Sequence, residues 1–424
     1  MAARLRFIEF LYATTLASLF SGIGYDTAFA KIRPFEFLAC LCALFALPLL
    51  ARRVPRGALL PLPVLAFFAV HVISAFAVNS SNGARELIQI AAVCLFVFPF
   101  LLTFERLDRR AFFRFFAAEI VIIVAVNVGW HLWNGHTFGW KLLNDPKSAF
   151  LLLPVLLVAA LGTRRPHHVV PLTLLTLVVV VMSGERKAYL VALVALVISY
   201  GLLNWRTVAT VALAVGAVGL FVLYDPNTYL AHQVFSLLAP DLPTNILELS
   251  PTSTVESLSN TERAFVFQIG TQQFLLHPIL GVGTNNFDTI TAALYSFLPA
   301  YLLVGIHNEF FRVLVENGLV GFVLYFYAWA SAFVRIKPAG LARRLFLGFA
   351  DAQERIRLCL FSACLIYCLF ESSKTLTFIA LVIASRIDLL VPMHAKNIAI
   401  AVARTAVPGK RLRVGYRVGG EARP

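Results

Sequence analysis

Long apolar runs constrain the fold of this chain more than any other feature of its sequence. The segment ELIQIAAVCLFVFPFLLTF (86–104) is one of these runs, and comparable ones recur along most of the chain. About 20 apolar residues in a helix cover the roughly 30 Å of hydrocarbon in a bilayer. Because backbone polar groups find no partners in lipid, such runs predict transmembrane α-helices. We place them at 7–24, 33–50, 59–78, 86–104, 112–132, 148–162, 169–183, 188–203, 207–224, 309–334, 356–371 and 376–394.

The composition supports an all-α polytopic membrane protein with about twelve transmembrane helices. Hydrophobic residues make up 59% of the chain and charged residues 14%, against roughly 45–50% and 25% in soluble domains. A net charge of +14 would suggest a nucleic-acid partner in a soluble protein. Here most Lys and Arg residues fall in short loops on one side of the predicted topology, as the positive-inside rule requires of cytoplasmic loops. We therefore expect no nucleic-acid partner.

The predicted topology divides the chain into four parts. Residues 1–224 hold helices one to nine, 225–306 form a large periplasmic loop, 307–395 hold helices ten to twelve, and 396–424 are a basic cytoplasmic tail. A cleaved signal peptide is the alternative for the first helix. Within the loop, residues 259–262 fit a capping box, which predicts a helix from about 261 to 276 on the membrane surface. The six cysteines lie in apolar runs and are expected to be packing residues.

Two basic clusters are predicted on the periplasmic side. The turn SGERKAYL (183–190) holds Arg186 and Lys187, and charges at membrane depth generally pair or serve a pathway. The alternative is a turn that marks the interface by extending its side chains to water. Arg263 is the only basic residue in the 225–306 loop. We expect it in the first turn of the loop helix, where a cation opposes the helix dipole, although a local contact with Glu262 or Glu256 is the alternative.

The third cluster opens the tenth predicted helix with GIHNEFFRVLVENGLVG (305–321). Asn308 is a good N-cap residue, which places His307 beside free amides that disfavour imidazolium. A neutral imidazole is what a general base needs; a loop histidine with satisfied hydrogen bonds is the alternative. Arg312 and Glu316 follow on one helix face and can pair inside the bundle. We find no metal-binding pattern, so neither a metal ion nor a cofactor is expected.

These motifs resemble those of the bacterial O-antigen ligase and polymerase superfamily. HNEFFRVLVENGLVG (307–321) is similar to its His-Asn and Glu-x-Gly-x-x-Gly signature. RAFVFQIGTQQFLLHPILGVGTNNF (263–287) resembles its Arg-led loop helix with the following His-Pro and Gly-x-Gly, and SGERKAYL resembles its Ser-x-x-Arg turn. The resemblance implies a GT-C-like, metal-independent membrane glycosyltransferase of lipopolysaccharide biosynthesis, in the bacterial inner membrane, with a periplasmic active site.

The resemblance also implies the substrates and the residue roles. The donor is a glycan on undecaprenyl pyrophosphate, and the acceptor is lipid A core or, in a polymerase, a growing glycan. Without a metal ion, the pyrophosphate charge must be met by cationic side chains, for which we select Arg186, Arg263 and Lys187. His307 is the candidate base, with Asn308 and Glu316 in supporting positions. A His307 that only hydrogen-bonds substrate, an O-antigen or exopolysaccharide polymerase, and a polysaccharide transporter or flippase are the alternatives.

Overall fold

The structure is a computed structural model. It describes residues 2–19, 21, 23, 25–26, 31–50, 62–78, 81–103, 107–135, 183, 186–201, 255–296, 305–333, 352–370 and 381, with isolated positions between 208 and 220. The predicted helices at 148–162, 169–183, 207–224 and 376–394, and the basic tail, lie wholly or almost wholly outside the described residues.

The described part of the chain is helical, as the apolar runs predict. Four of the described residues form a short antiparallel strand pair, with Tyr25 opposite Ile32 and Asp26 opposite Lys31. In chain order the elements are α1 Ala2–Ser18, β1 Tyr25–Asp26, β2 Lys31–Ile32, α2 Pro34–Leu50, α3 Leu62–Val78, α4 Ser81–Thr103, α5 Arg109–Trp133, α6 Arg186–Tyr200, α7 Val255–Leu276, α8 Phe287–Leu294, α9 Glu309–Phe333 and α10 Ala352–Phe370.

Among the described residues, three helical segments are long and apolar enough to cross a bilayer. They are Glu86–Thr103, Ala111–Trp133 and Glu309–Phe333, and shorter apolar helices occupy Pro34–Pro48 and Leu62–Ala77. The total of twelve spans therefore stays a prediction. The observed bounds of α2 and α9 lie within one residue of those predicted, whereas α1 begins at Ala2 and ends at Ser18 instead of covering 7–24.

The N-terminal helices interlock through aromatic side chains. Helix α1 packs against α2 and α5, and α2 packs against α4. The Tyr12 ring meets Phe96 and Phe100 edge-on, with centroids 6.0 and 5.3 Å away, a geometry that the ring quadrupole favours. The Tyr12 hydroxyl and Thr103 Oγ1 are hydrogen-bonded at 2.9 Å, so this buried hydroxyl group is satisfied.

Helix α9 connects the remaining elements. It packs against α3, α7 and α10, and α10 in turn packs against α6. Its Tyr325 and Trp329 belong to the main buried core, and the Phe310 ring contacts both, with centroids 5.8 and 5.7 Å away. Residues 15 and 19 positions apart would be more than about 20 Å apart in a straight helix, so α9 folds back at Gly318, where its backbone is not helical. The motif-bearing helix is therefore held from three sides.

The loop helix α7 begins earlier than predicted. It runs from Val255 to Leu276, so the capping-box pattern at 259–262 lies inside the helix and that part of the prediction is wrong. The upstream residues VESL contain neither Gly nor Pro, the residues that would stop a helix there. Arg263 is consequently the ninth residue of α7 and lies beyond its first turn, where the expected opposition to the helix dipole fades.

Candidate functional site

Asn308 fixes the chain at the start of α9. Its Oδ1 accepts the Phe311 N–H at 2.9 Å, and its carbonyl accepts the Arg312 N–H at 2.8 Å. This is the predicted N-cap arrangement, which satisfies one of the free donors of the first turn. The Asn308 Nδ2 also donates to the Leu369 carbonyl of α10 at 2.9 Å. Asn308 is therefore bonded to both α9 and α10, and these bonds fix the backbone next to His307.

His307 and Arg263 of the loop helix act on the same carboxyl group, that of Glu262. Burial raises the pKa of Glu262, and the charges of His307 and Arg263 lower it. Such electrostatic effects require His307, Glu262 and Arg263 to lie in one neighbourhood. The Arg263 side chain is exposed, and those of His307 and Glu262 are partly exposed. Two predicted site residues, His307 and Arg263, thus both lie close enough to the Glu262 carboxyl group to lower its pKa.

An apolar cluster below His307 explains this approach. Ile306 is buried with Val266 and Ile269 of α7, Phe287 of α8 and Val315 of α9. Burial of such side chains is favourable by about 1.5–3 kcal/mol each where water is the alternative. Because Ile306 directly precedes His307, its burial against Val266 and Ile269 holds the histidine near this part of α7.

Helices α7 and α9 also contact each other closely beside this cluster. Phe267 stacks on Phe311 with ring centroids 4.5 Å apart. A Cβ at Gly270 would lie 2.6 Å from the Phe311 ring and 3.3 Å from a Val315 methyl group. Gly270 therefore lets the two helices approach where a larger residue would separate them.

The glycine-rich turn after α7 docks into a kink in α9. Gly318 has a φ of +63° and interrupts the helical geometry. The Leu319 and Val320 N–H groups donate hydrogen bonds to the Pro278 and Ile279 carbonyls, respectively. In the opposite direction, the Val282 and Gly283 N–H groups donate to the Val315 and Glu316 carbonyls. The two glycine motifs noted in the sequence, GVG (281–283) and ENGLVG (316–321), are thus the two halves of one backbone contact.

Glu316 stabilises this contact from inside. Its Oε2 accepts the Asn285 N–H at 2.9 Å, and its Oε1 accepts the Arg312 Nε–H at 3.0 Å. Arg312 also donates through Nη2 to Asn285 Oδ1. Glu316 is buried, so the ion pair and the amide compensate for the cost of desolvating its charge. These contacts assign Glu316 a structural position behind the docked turn.

A second set of polar residues, from the N-terminal part of the chain, extends this network. His71 of α3 contacts Glu86 of α4 through Nε2 at 3.1 Å and Thr284 through Nδ1 at 3.3 Å. The Thr284 hydroxyl accepts a hydrogen bond from Asn317 Nδ2 at 2.8 Å, and its N–H donates to Ser74 Oγ at 2.9 Å. This set was not predicted from the sequence. A histidine and a glutamate inside apolar runs were the available signal.

The remaining predicted residues lie at the start of α6. Lys187 is partly exposed in its first turn, and the following Ala188 is buried in the main core. The side chain of Arg186 lies outside the described residues, so its position relative to His307 stays a prediction. Within the described part of the chain, no group of three or more His, Cys, Asp or Glu residues is arranged to hold a metal ion.

Comparison with known families finds one match. Residues 171–326, rather more than a third of the chain, match the family model described as O-antigen ligase. A search of curated proteins found no match. The matched segment includes every predicted site residue, namely Arg186, Lys187, Arg263, His307, Asn308 and Glu316, whereas His71, Ser74 and Glu86 precede it. The family match confirms the resemblance based on the three motifs.

Proposed function

We propose that this membrane protein of the O-antigen ligase superfamily is an inverting glycosyltransferase that moves a glycan from undecaprenyl pyrophosphate to a sugar hydroxyl of lipid A core at the periplasmic face of the inner membrane. The observation that supports this best is the shared neighbourhood of His307, Glu262 and Arg263 inside the family-matched segment. It combines a potential proton acceptor with a potential phosphate ligand at the end of a helix.

The proposed reaction is a single displacement. The acceptor oxygen attacks the anomeric carbon, the bond from that carbon to the pyrophosphate oxygen breaks, and the hydroxyl proton passes to His307. A positioned base of this kind contributes typically about 10²–10⁴-fold. The electron pair of the broken bond stays on the leaving pyrophosphate.

Cationic side chains would stabilise that leaving group. Arg263 is exposed on α7 beside the His307 neighbourhood, and its forked donors suit phosphate oxygens. Arg186 and Lys187 are proposed to complete the clamp from the start of α6. Asn308 would aim the imidazole through its cap, and Glu316 would act indirectly by holding the turn that follows α7.

Replacing His307 tests the proposal in vesicles that contain a lipid-pyrophosphate-linked glycan and lipid A core. We expect His307→Ala to lose about 10²–10⁴-fold in transfer rate. Gln268→Ala is the matched control and should retain transfer, since Gln268 is exposed on α7 more than one turn after Arg263. Substantial turnover by His307→Ala would leave only a substrate-binding role for the histidine.

The same assay separates the alternatives. Glycan attached to lipid A core supports the ligase, and longer chains on the lipid carrier identify a polymerase. Repeating the assay with a chelator tests the expectation that no metal ion takes part. Glycan movement across the vesicle membrane without any new glycosidic bond would instead identify a transporter.

A further inference from the structure

Glu262 is a carboxyl group that the proposed transfer reaction does not use. It lies in α7 directly before Arg263 and is partly exposed. The charges of His307 and Arg263 both act on it, and both of these residues have roles in the proposed reaction. A carboxylate next to a catalytic histidine commonly fixes the orientation of the ring and the nitrogen that carries the proton. Glu262 therefore has two possible partners, the imidazole and the guanidinium.

The face of α7 that carries Glu262 is the face that packs on the segment leading to His307. Residues at 262, 266 and 269 follow one another at helical spacing and share one face of α7. Val266 and Ile269 belong with Ile306, the residue before His307, to one buried cluster. Glu262 lies one turn before Val266 on this face, and the side chains of a helix lean toward its N-terminus. The helix itself therefore directs the carboxyl group toward the chain at His307.

The pairing of α7 with the first half of α9 gives the same register. Phe267 stacks on Phe311 with ring centroids 4.5 Å apart, and a Cβ at Gly270 would lie 3.3 Å from a Val315 methyl group. Residue numbers increase together, so the two segments run in the same direction over this stretch, which ends before the kink. One turn back from the stacked pair, α7 carries the carboxyl group in question and the other segment carries His307.

Arg263 is less well placed to pair with this carboxylate. Glu262 and Arg263 are consecutive, and consecutive residues on a helix do not face each other. Their exposure agrees with this, because the Arg263 side chain is exposed whereas that of Glu262 is partly buried. The guanidinium is thus available to a phosphate from solution, and the carboxylate lies on the side of His307.

Two other carboxylates border the same segment. A Cβ at Gly305 would lie 3.2 Å from Asp288 Oδ1, and Glu309 is buried in the first turn of α9. The charges of both act on the Arg312 guanidinium, which gives these two carboxylates a cation inside the protein. The carboxylate on α7 differs from them, because the charge of His307 acts on it.

We propose that Glu262 is the positioning residue of the base: its ionised carboxylate accepts a hydrogen bond from one imidazole N–H of His307 and leaves the other ring nitrogen for the acceptor hydroxyl. This inference rests on the proposed transfer reaction. As the acceptor oxygen attacks, its proton passes to the free ring nitrogen, and the imidazolium that forms lies beside a carboxylate that stays ionised. The negative charge stabilises the developing positive charge, so Glu262 accelerates the proton transfer without contacting either substrate.

Steady-state kinetics tests this role, with the full chain in vesicles that contain a lipid-pyrophosphate-linked glycan and lipid A core. An orienting carboxylate contributes about 10⁴-fold to kcat when it is fully buried, and Glu262 is only partly buried, so we expect Glu262→Gln to lower kcat at least about tenfold. KM for the donor should stay within about twofold, because the lost interaction strengthens only as the imidazole gains charge. Glu256→Gln, on the same helix, also removes one carboxylate and should retain kcat.

The separate effects on kcat and KM identify the partner of the carboxylate. If Glu262 only neutralises Arg263, Glu262→Gln should instead lower KM for the donor and leave kcat unchanged, and this result would overturn the proposal. Unchanged values of both quantities would overturn it as well. Glu262→Asp keeps the charge and should retain more of kcat than Glu262→Gln. It also keeps the test decisive if the Gln variant does not fold, because loss of kcat equal to that of Glu256→Gln would contradict the role.

A residue that acts through His307 has no effect once His307 is absent. Adding Glu262→Gln to His307→Ala should therefore cause no further loss of transfer, whereas a further loss as large as that of Glu262→Gln alone would show an independent structural role. Substantial turnover by His307→Ala alone would remove the base, and the role of Glu262 with it. Normal kcat in Glu262→Gln together with loss of transfer in His307→Ala would refute only the role of Glu262.

Discussion

At the scale of single residues, Asn308 makes the connections that orient the start of α9. Its side chain accepts from Phe311 and donates to Leu369, so one amide both caps a helix and joins it to α10. A carboxylate can provide the first contact and cannot provide the second. The amide is therefore the group that matches both requirements.

Asn308→Ala should lower stability by about 1–2 kcal/mol, the usual cost of losing an N-cap with an additional hydrogen bond. It should also reduce transfer, because His307 precedes the cap. Asn308→Asp keeps the cap and loses the bond to Leu369, so an intermediate melting temperature is expected. Thermal unfolding in detergent gives the melting temperature of all three proteins. Equal melting temperatures for Asn308→Ala and the unmodified chain would contradict the role of Asn308 as a stabilising cap.

Glu262 gives stability a pH dependence of known sign. Burial, the largest effect, raises the pKa of its carboxyl group in the folded protein, and His307 and Arg263 oppose this. Between the pKa of Glu262 in the unfolded chain and its higher pKa in the folded protein, the folded state therefore binds more protons. The contribution of Glu262 to the free energy of unfolding grows as pH falls through that window. It is lost as pH rises above the folded-state pKa.

Glu262→Gln removes this proton uptake. We expect the melting temperature of the unmodified chain to rise relative to that of the variant as pH falls from 7 toward the ordinary range of a glutamate. Glu256→Gln, on the same helix, controls for the change in net charge. A gap between Glu262→Gln and the unmodified chain that does not vary with pH would show that the carboxyl group is not shifted by folding.

At the scale of elements, the kink in α9 and the turn after α7 require each other. A Cβ at Gly318 would lie 2.2 Å from the Ile279 carbonyl oxygen, and one at Gly281 would lie 2.4 Å from the Glu316 carbonyl carbon. Both glycines have positive φ, 63° and 71°, a region that costs other residues about 1–2 kcal/mol. Because the opposing atoms belong to the backbone, they cannot move aside as a flexible side chain could.

Gly318→Ala should therefore destabilise the protein by at least about 2 kcal/mol, through backbone strain together with the clash. Gly129→Ala in α5 is the matched control, since a Cβ there meets nothing within 4 Å and Ala favours a helix by up to about 1 kcal/mol. Melting temperature and yield of monodisperse protein measure the difference. Similar behaviour of the two variants would contradict the docked arrangement.

At the scale of the whole molecule, the family-matched segment depends on helices that precede it. His71 and Glu86 of α3 and α4 reach Thr284 in the turn that docks against α9. Both residues are buried, and removing one partner of a buried hydrogen-bonded pair leaves the other unsatisfied. The N-terminal helices thus help to hold the turn below the candidate site.

Glu86→Ala should cost about 2 kcal/mol or more for this reason and should lower transfer, although Glu86 lies far from His307 in the sequence. Glu86→Gln retains an oxygen that can accept from His71 and should lose less. Thermal unfolding and the vesicle transfer assay provide the two measurements. Wild-type melting and transfer in Glu86→Ala would show that the pair does not support the turn.

The sequence predicted the helices whose first and last residues are determined by neighbouring residues in the chain. Helix α9 was predicted at 309–334 and occupies Glu309–Phe333, because Asn308 is a cap and the following run is apolar. The start of α7 was missed, because a capping-box pattern can also occur inside a helix. The contact of His71 with Thr284 was missed as well, since a contact across more than 200 positions leaves no local pattern, and the His71–Glu86 contact joins two different helices. The gathering of Arg263 and His307 in one pocket stays a prediction, and Glu262 was considered only as a possible contact of Arg263.

The contact between the turn and the kink has a consequence for inheritance. Neither Gly281 nor Gly318 can acquire a side chain while the other segment keeps its path, since each position faces the other segment's main chain. Descendants of this sequence should retain both glycines or lose both, and an evolutionary comparison should find the two positions changing as a pair.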